Sequence, residues 1–357
     1  MCTPAVEAIS KCAANLGEYG TLGIGALLKE YESARESVAA LIGARPDDVS
    51  MMQTCAAAIS QVALGIDLES GDEIVRFDQE YPSNAYPWHV AAERAGARVI
   101  VVPSEADLHI STEKLIDCIG PRTRVVAVSW VQYSTGAVAD LAAISKRCQE
   151  SGAWLVVDAI QGLGVIPFNM SELGVDIVCG GTHKWLCGPL GHGFLVMSES
   201  KRKAIQPLLH GAITYGTPDD LVDPKKMPRT DPSRFEPGTP LLLGAVGCAA
   251  AIDHLLEAGI KKIHREAMRL ANRLREDIQA TGGTVVSPNG NHSSESAQSP
   301  ITTFRPPGET HFLVSELKKE RVAFAERGGG IRLSPHALNT DADLEVIHRI
   351  LRRSIQG

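Results

Sequence analysis

The 357-residue sequence has no C-x-x-C pair, no dense block of lysine and arginine, no apolar run approaching 18 residues, and only 5% aromatic residues. Each absence removes a class of protein. Eight cysteines (Cys2, Cys12, Cys55, Cys118, Cys148, Cys179, Cys187 and Cys248) are scattered singly, so they read as reduced, mostly buried thiols and not as a zinc or disulfide framework. A formal net charge of −7 without a basic cluster argues against nucleic acid or an anionic membrane as partner. The amino end lacks the charged-then-apolar pattern of a secretory signal, and with no span-length run the expected location is the cytoplasm. No G-x-G-x-x-G follows an early strand, which sets aside a dinucleotide-binding reading.

What is present is an ordinary globular composition, 44% hydrophobic and 22% charged, over a length that fits about two domains with substantial cores. The chain is organised around residues 154–197. Apolar runs at 154–157 (closed by Asp158), 176–179 (ended by Gly180 and Gly181) and 193–197 have the length and β-rich content of buried strands. In an open α/β sheet, ligands sit at the carboxyl ends of the strands, so Asp158 and the Thr182-His183-Lys184 turn can meet in one crevice. A lysine amine can carry pyridoxal phosphate as a Schiff base. A carboxylate on the pyridine nitrogen keeps that nitrogen protonated, so that the ring accepts electrons from a substrate carbanion. Lys184 and Asp158 are the candidates for these two roles.

D-x-x-Q (Asp158 to Gln161) followed by T-H-K (Thr182 to Lys184) resembles the signature of the class V aminotransferases, among the fold-type I pyridoxal-phosphate (PLP) enzymes that include cysteine desulfurases, selenocysteine lyases and epimerase-like proteins. The resemblance covers nearly the whole chain. It implies an α/β fold of that type: a large domain with a mostly parallel, seven-stranded type of sheet, and a smaller α+β carboxyl-terminal domain. It also implies that Lys184 holds the cofactor, that Asp158 pairs the pyridine nitrogen, that Gln161 reaches the ring oxygen, and that Thr182 and His183 help hold the phosphate. The expected division is 17–240 for the large domain, and 1–16 plus 241–357 for the small one.

Further segments fit the same expectation. Residues 51–65 read as a loop entering a helix at Thr54, Cys55 and Ala56, and a helix amino end suits a phosphate through its free N–H groups. The family pattern there carries a second hydroxyl or a glycine, so with Cys55 and Ala56 in place backbone donors have to dominate. E-Y-P-S-N at 80–84 resembles the family segment whose aromatic stacks on the cofactor ring, with Tyr81 in that place. W-V-Q-Y-S-T-G at 130–136 resembles the turn that touches the ring oxygen, and either Gln132 or Tyr133 fits. R-F-E-P-G-T-P at 234–240 resembles the segment that delivers Thr239 to the phosphate of a neighbouring subunit, which implies a homodimer with shared active sites. G-I-R-L-S-P-H resembles the family's R-x-S-x-H, so Arg332 is expected to hold a substrate α-carboxylate with its two-pronged donor. Members of the family begin with a further pocket-lining segment that this chain is expected to lack or shorten.

The substrate is thus expected to be an amino acid or amine. An aminotransferase ranks first, a C–S or β-eliminating lyase or an epimerase is the alternative, and a non-catalytic PLP-binding protein ranks below both. A persulfide-forming desulfurase is not expected. That branch supplies a thiolate from a loop shortly before the carboxylate-binding arginine, and residues 322–332 contain no cysteine.

Overall fold

The computed structural model describes residues 1–216, 226–288, 298–306 and 308–354. Helices α1 (Thr3–Tyr19) and α2 (Ile24–Ile42) open the chain. The large sheet and its covering helices follow: β1 (Val49–Met52), α3 (Cys55–Gly65), β2 (Glu73–Phe77), α4 (Tyr86–Ala95), β3 (Arg98–Val102), α5 (Thr112–Asp117), β4 (Thr123–Ser129), α6 (Leu141–Ser151), β5 (Trp154–Asp158), α7 (Met170–Leu173), β6 (Ile177–Gly181) and β7 (Gly193–Met197). Short helices α8 (Glu199–Ala204) and α9 (Ala212–Tyr215) lead to the long pair α10 (Leu242–Ala258) and α11 (Ile260–Ala280). The chain ends with β8 (Thr284–Val285), β9 (Thr302–Arg305), α12 (Thr310–Lys319), β10 (Ala325–Arg327), β11 (Gly330–Leu333) and α13 (Asp341–Arg353).

The seven strands lie in the order β1-β7-β6-β5-β4-β2-β3. β7 runs antiparallel to both of its neighbours, and the other pairs are parallel. Strands buried on both faces need continuous apolar runs, and V-V-A-V in β4, L-V-V in β5 and I-V-C in β6 supply them. One core, with Val38, Val126, Val157 and Phe194, fills one face; a second, with Ile59, Trp88, Val125 and Val156, fills the other. β8 to β11 form a separate four-stranded antiparallel sheet, whose core joins Leu270, Phe304, Leu313, Ile331 and Leu351. The α/β fold with a mostly parallel seven-stranded sheet and a smaller α+β unit is therefore as expected.

The expected domain boundary does not coincide with the division between the cores. Cys12 of α1 and Ala245, Cys248 and Ile252 of α10 belong to the large unit's first core, and the small unit's own core begins within α11, at Leu270. β1 and α4 are among the elements that were not anticipated. β1 is four residues long and contains Ser50, too short and too polar to register as a buried run. α4 begins at Tyr86 with Pro87 in its first turn, so its start reads as loop. The amino-terminal helix α1 runs over 17 residues with Pro4 in its first turn. From the sequence, 219–240 reads as a long polar, Pro-rich segment and 289–299 as a polar loop; 219–225 of the first and 289–297 of the second lie outside the described residues. No single helix among the described residues is long and apolar enough to cross a membrane.

Candidate active site

The register of the sheet brings the site together. Ser129, Asp158 and Cys179 stand side by side near the carboxyl ends of β4, β5 and β6. The turn after β4 therefore carries Gln132 and Tyr133 past Asp158 on one side, and the turn after β6 carries Lys184 past it on the other. β2 delivers the 78–84 segment with Tyr81, and β1 delivers the amino end of α3.

Asp158 is 4% exposed, and its Oδ1 accepts from the Ile160 N–H at 3.0 Å and from the Cys55 thiol at 3.4 Å. Oδ2 has no protein partner among the described residues. Burial pushes this carboxyl up, against the Ile160 N–H, the Lys184 charge and the Cys55 hydrogen bond, which favour its ionised form. Lys184 is half-buried, and burial pulls its ammonium below the ordinary lysine value, opposed by Asp158 and Cys55 and assisted by the positive Arg332. Its Nζ lies 5.8 Å from the centre of the Tyr81 ring. Tyr81 is 43% exposed and stands edge-on to Tyr133, with ring centres 5.1 Å apart at 77°.

Gln132 and Tyr133 have different surroundings. The Gln132 amide is fully buried and donates to Glu80 at 3.0 Å, whereas Tyr133 is half-buried beside Tyr81 and its carbonyl accepts from Arg332 Nη1. Arg332 lies on β11 opposite Ala325 and Thr303, so the small sheet holds it against the large unit's turn. The rest of its guanidinium has no partner among the described residues. Gln161 is 7% exposed and its amide likewise has none.

Thr182 is fully buried, and its hydroxyl donates to the carbonyls of Pro189 and His192. The hydroxyl's one proton thus helps to close the 182–192 loop. His183 is exposed, and partial burial together with Lys184 holds its imidazole below the usual value. At the start of α3, Thr54 caps Ala57 N–H at 3.0 Å, which leaves the N–H groups of Cys55 and Ala56 free for an anion. Gly193 keeps this end of α3 against β7: a Cβ there would meet the Thr54 carbonyl carbon at 2.8 Å and Cys55 N at 2.9 Å. Thr239 lies exposed on the turn before α10.

Sequence reasoning missed the acid that braces two of these turns. Glu80 is 5% exposed and accepts from Ser129 N–H and hydroxyl, Asn84 Nδ2 and Gln132 Nε2. Burial pushes it up, and the same hydrogen bonds hold it down. The signal was the spacing of Glu80 and Asn84, one turn apart and flanking Tyr81. Also missed was His336, whose ring stacks on Trp185 at 5.7 Å and 23° and lies 3.9 Å from the Cys187 sulfur.

The donor set fits PLP. An unpaired carboxylate oxygen, an unpaired amide, a half-buried lysine beneath an aromatic ring and two free helix N–H groups converge from four strand ends. Lys184 would hold the cofactor, Asp158 its ring nitrogen, and the α3 amino end its phosphate.

The sequence model of the class-V aminotransferases matches residues 10–346. A probable cysteine desulfurase of Methanothermobacter thermautotrophicus is 27% identical over 343 residues, 90% of this chain and 83% of that protein. The cysteine desulfurase of Thermococcus onnurineus superposes with a TM-score of 0.90 at 24% identity, covering 99% of this chain and 92% of that one. The cystine C–S lyase C-DES, solved with its product cysteine persulfide, superposes at 0.87 and 23% identity, covering 99% and 94%. At those identities the structural likeness is one of fold. The match to the family model goes further: the chain belongs to the class-V aminotransferases and is a PLP-dependent enzyme.

Proposed function

We propose that this enzyme breaks the C–S bond of a cysteine- or cystine-like amino acid by elimination, without a protein thiol. This prefers the lyase alternative of the sequence analysis to transamination. The observation that carries it is the β10–β11 hairpin. Arg327 pairs with Gly330 across a two-residue turn, and Gly328 and Gly329 have φ of 58° and 68°. Such a turn demands left-handed residues and leaves no loop on which a nucleophilic cysteine could swing over the substrate. The thiols around the lysine loop do not substitute for one. Burial pushes Cys55, Cys179 and Cys187 above the ordinary thiol value, and a nucleophile needs the opposite. A desulfurase-like substrate combined with no thiolate leaves elimination.

Arg332 binds the α-carboxylate with the unpaired edge of its guanidinium, and Tyr133's carbonyl fixes the other edge. Lys184, whose ammonium burial pulls below the ordinary lysine value, takes the α-proton. Asp158 would hold positive charge on the cofactor's ring nitrogen. Bound there, the cofactor supplies the electron sink that makes the α-proton removable. Tyr81 and Tyr133 shield that face from water. His183, exposed beside Lys184, is left to contact the cofactor or substrate from the solvent side.

The working unit is a homodimer, in which Thr239 reaches the partner's phosphate site. Leu22, Leu190 and Leu241 are 90%, 80% and 48% exposed, apolar side chains that a second subunit would cover. All eight cysteines are free, which supports a reducing compartment such as the cytoplasm.

The deciding experiment incubates the enzyme with cysteine or cystine. Elimination converts cysteine and water into pyruvate, ammonia and sulfide. Alanine with a protein-bound persulfide would overturn the proposal in favour of thiolate attack, and product formation only with a keto-acid acceptor would overturn it in favour of transamination.

A further inference from the structure

Cys55 fills a position where the family resemblance leads one to expect a hydroxyl or glycine, and its thiol does not face the phosphate end of the site. It points at the sulfur-to-oxygen distance of 3.4 Å to Oδ1 of Asp158, the same oxygen that accepts the Ile160 N–H at 3.0 Å. We propose that Cys55 is a positioning residue: its S–H is the second donor to Oδ1, and the pair turns Oδ2 alone towards the cofactor's ring nitrogen.

Three observations support the assignment. The thiol is only 6% exposed and packs in an apolar cluster with Ala58, Ile59 and Cys179, so its proton has few polar atoms to point to. Burial, Asp158 and the neighbouring Cys179 all oppose its ionisation, so it stays a neutral S–H, able to donate and unable to attack substrate. Cys55 is also the first residue of α3, behind the Thr54 cap, and Gly193 presses against its backbone. The helix end that offers N–H groups to the phosphate therefore also fixes the carboxylate at the other end of the same ligand. The other groups facing this carboxylate are Lys184, on the loop after β6, and the Cys179 thiol, on β6 itself.

The test reads the cofactor and not turnover. In holoenzyme carrying Cys55→Ala, the cofactor dissociation constant should rise about three- to tenfold, the range of one net hydrogen bond. The pH midpoint of the bound cofactor's visible band should also rise, because a ring nitrogen held less firmly in its protonated form withdraws less charge. Cys55→Ser keeps a donor and should stay within about twofold of the parent in affinity. Cys179→Ala creates a comparable cavity without touching a hydrogen bond to Asp158, and should leave the band midpoint unmoved. The proposal is overturned if Cys55→Ala leaves affinity and midpoint unchanged, if Cys55→Ser is as impaired as Cys55→Ala, or if Cys179→Ala shifts the midpoint equally. Should Cys55→Ala fail to fold, the serine variant decides: weaker cofactor binding than the parent by more than the stated factor refutes the donor role.

Discussion

Single side chains divide the labour in this crevice by what they leave unpaired. Asp158 has one satisfied oxygen and one free, Arg332 one tied edge and one free, and Gln161 an amide with no partner among the described residues. For Arg332 this yields a direct expectation. Arg332→Lys loses the planar fork, and amino-acid binding followed by spectral titration should weaken by about 2 kcal/mol, roughly 30-fold, with the cofactor's own absorbance unchanged. An equally tight variant would show that the carboxylate docks elsewhere. At this scale the sequence was legible where a residue type closed a strand or stood in the turn after it, as Asp158 does at the end of β5 and Lys184 after β6. It was illegible where orientation decides. Thr182 suits a phosphate by type and yet donates into its own loop, and Cys55, which by type offers a phosphate only its backbone, turns its thiol onto Asp158. Gln132 and Tyr133 were indistinguishable until Glu80, a buried acid that the sequence presents as one more loop charge, took the glutamine.

Elements fix those orientations. The loop bearing Lys184 is closed at the entrance to β7, where the His192 carbonyl accepts from the Thr182 N–H and hydroxyl. The His192 ring is 2% exposed, has neither nitrogen paired among the described residues, and lies against α10, where a Cβ on Gly244 would meet its Nδ1 at 2.7 Å. Burial drops its pKa from 6.5 to about 4. The unfolded chain therefore takes up this proton first as the pH falls, and stability present above 6.5 is lost progressively on the way down to about 4. Between pH 7 and pH 5 the loss amounts to about 2 kcal/mol. Urea midpoints measured across that range should fall more steeply for the parent than for His192→Gln, which has nothing to titrate there; parallel slopes would mean that the ring is hydrated or paired. Strands were read well because both faces of the sheet are buried and their runs are apolar. β1 escaped because an edge strand needs only one neighbour, and four residues suffice.

For the whole molecule, the open question is where Thr239 acts. It lies exposed on the turn before α10, and a Cβ on the adjacent Gly238 would meet nothing within 4 Å. The exposed Leu22, Leu190 and Leu241 belong to or adjoin the α1 and α10 surroundings, and Pro189 packs on Gly247 of α10. A self-complementary pairing through that region would carry each Thr239 to the other subunit. The shared-site arrangement has a consequence that an unshared one lacks. Lys184→Ala disables the site on its own chain, and Thr239→Ala weakens the site on the partner. In a heterodimer of the two variants both defects fall in one site, and the other site is wholly native. Equal mixing with free subunit exchange makes about half of all dimers mixed, so about a quarter of all sites should regain parental activity. Activity should therefore rise above the mean of the two parent variants as exchange proceeds, with the time course of exchange itself. If Thr239 served its own subunit, every Lys184-bearing site would keep the defect and mixing would add nothing. A fully active monomer in sedimentation would likewise exclude the shared site.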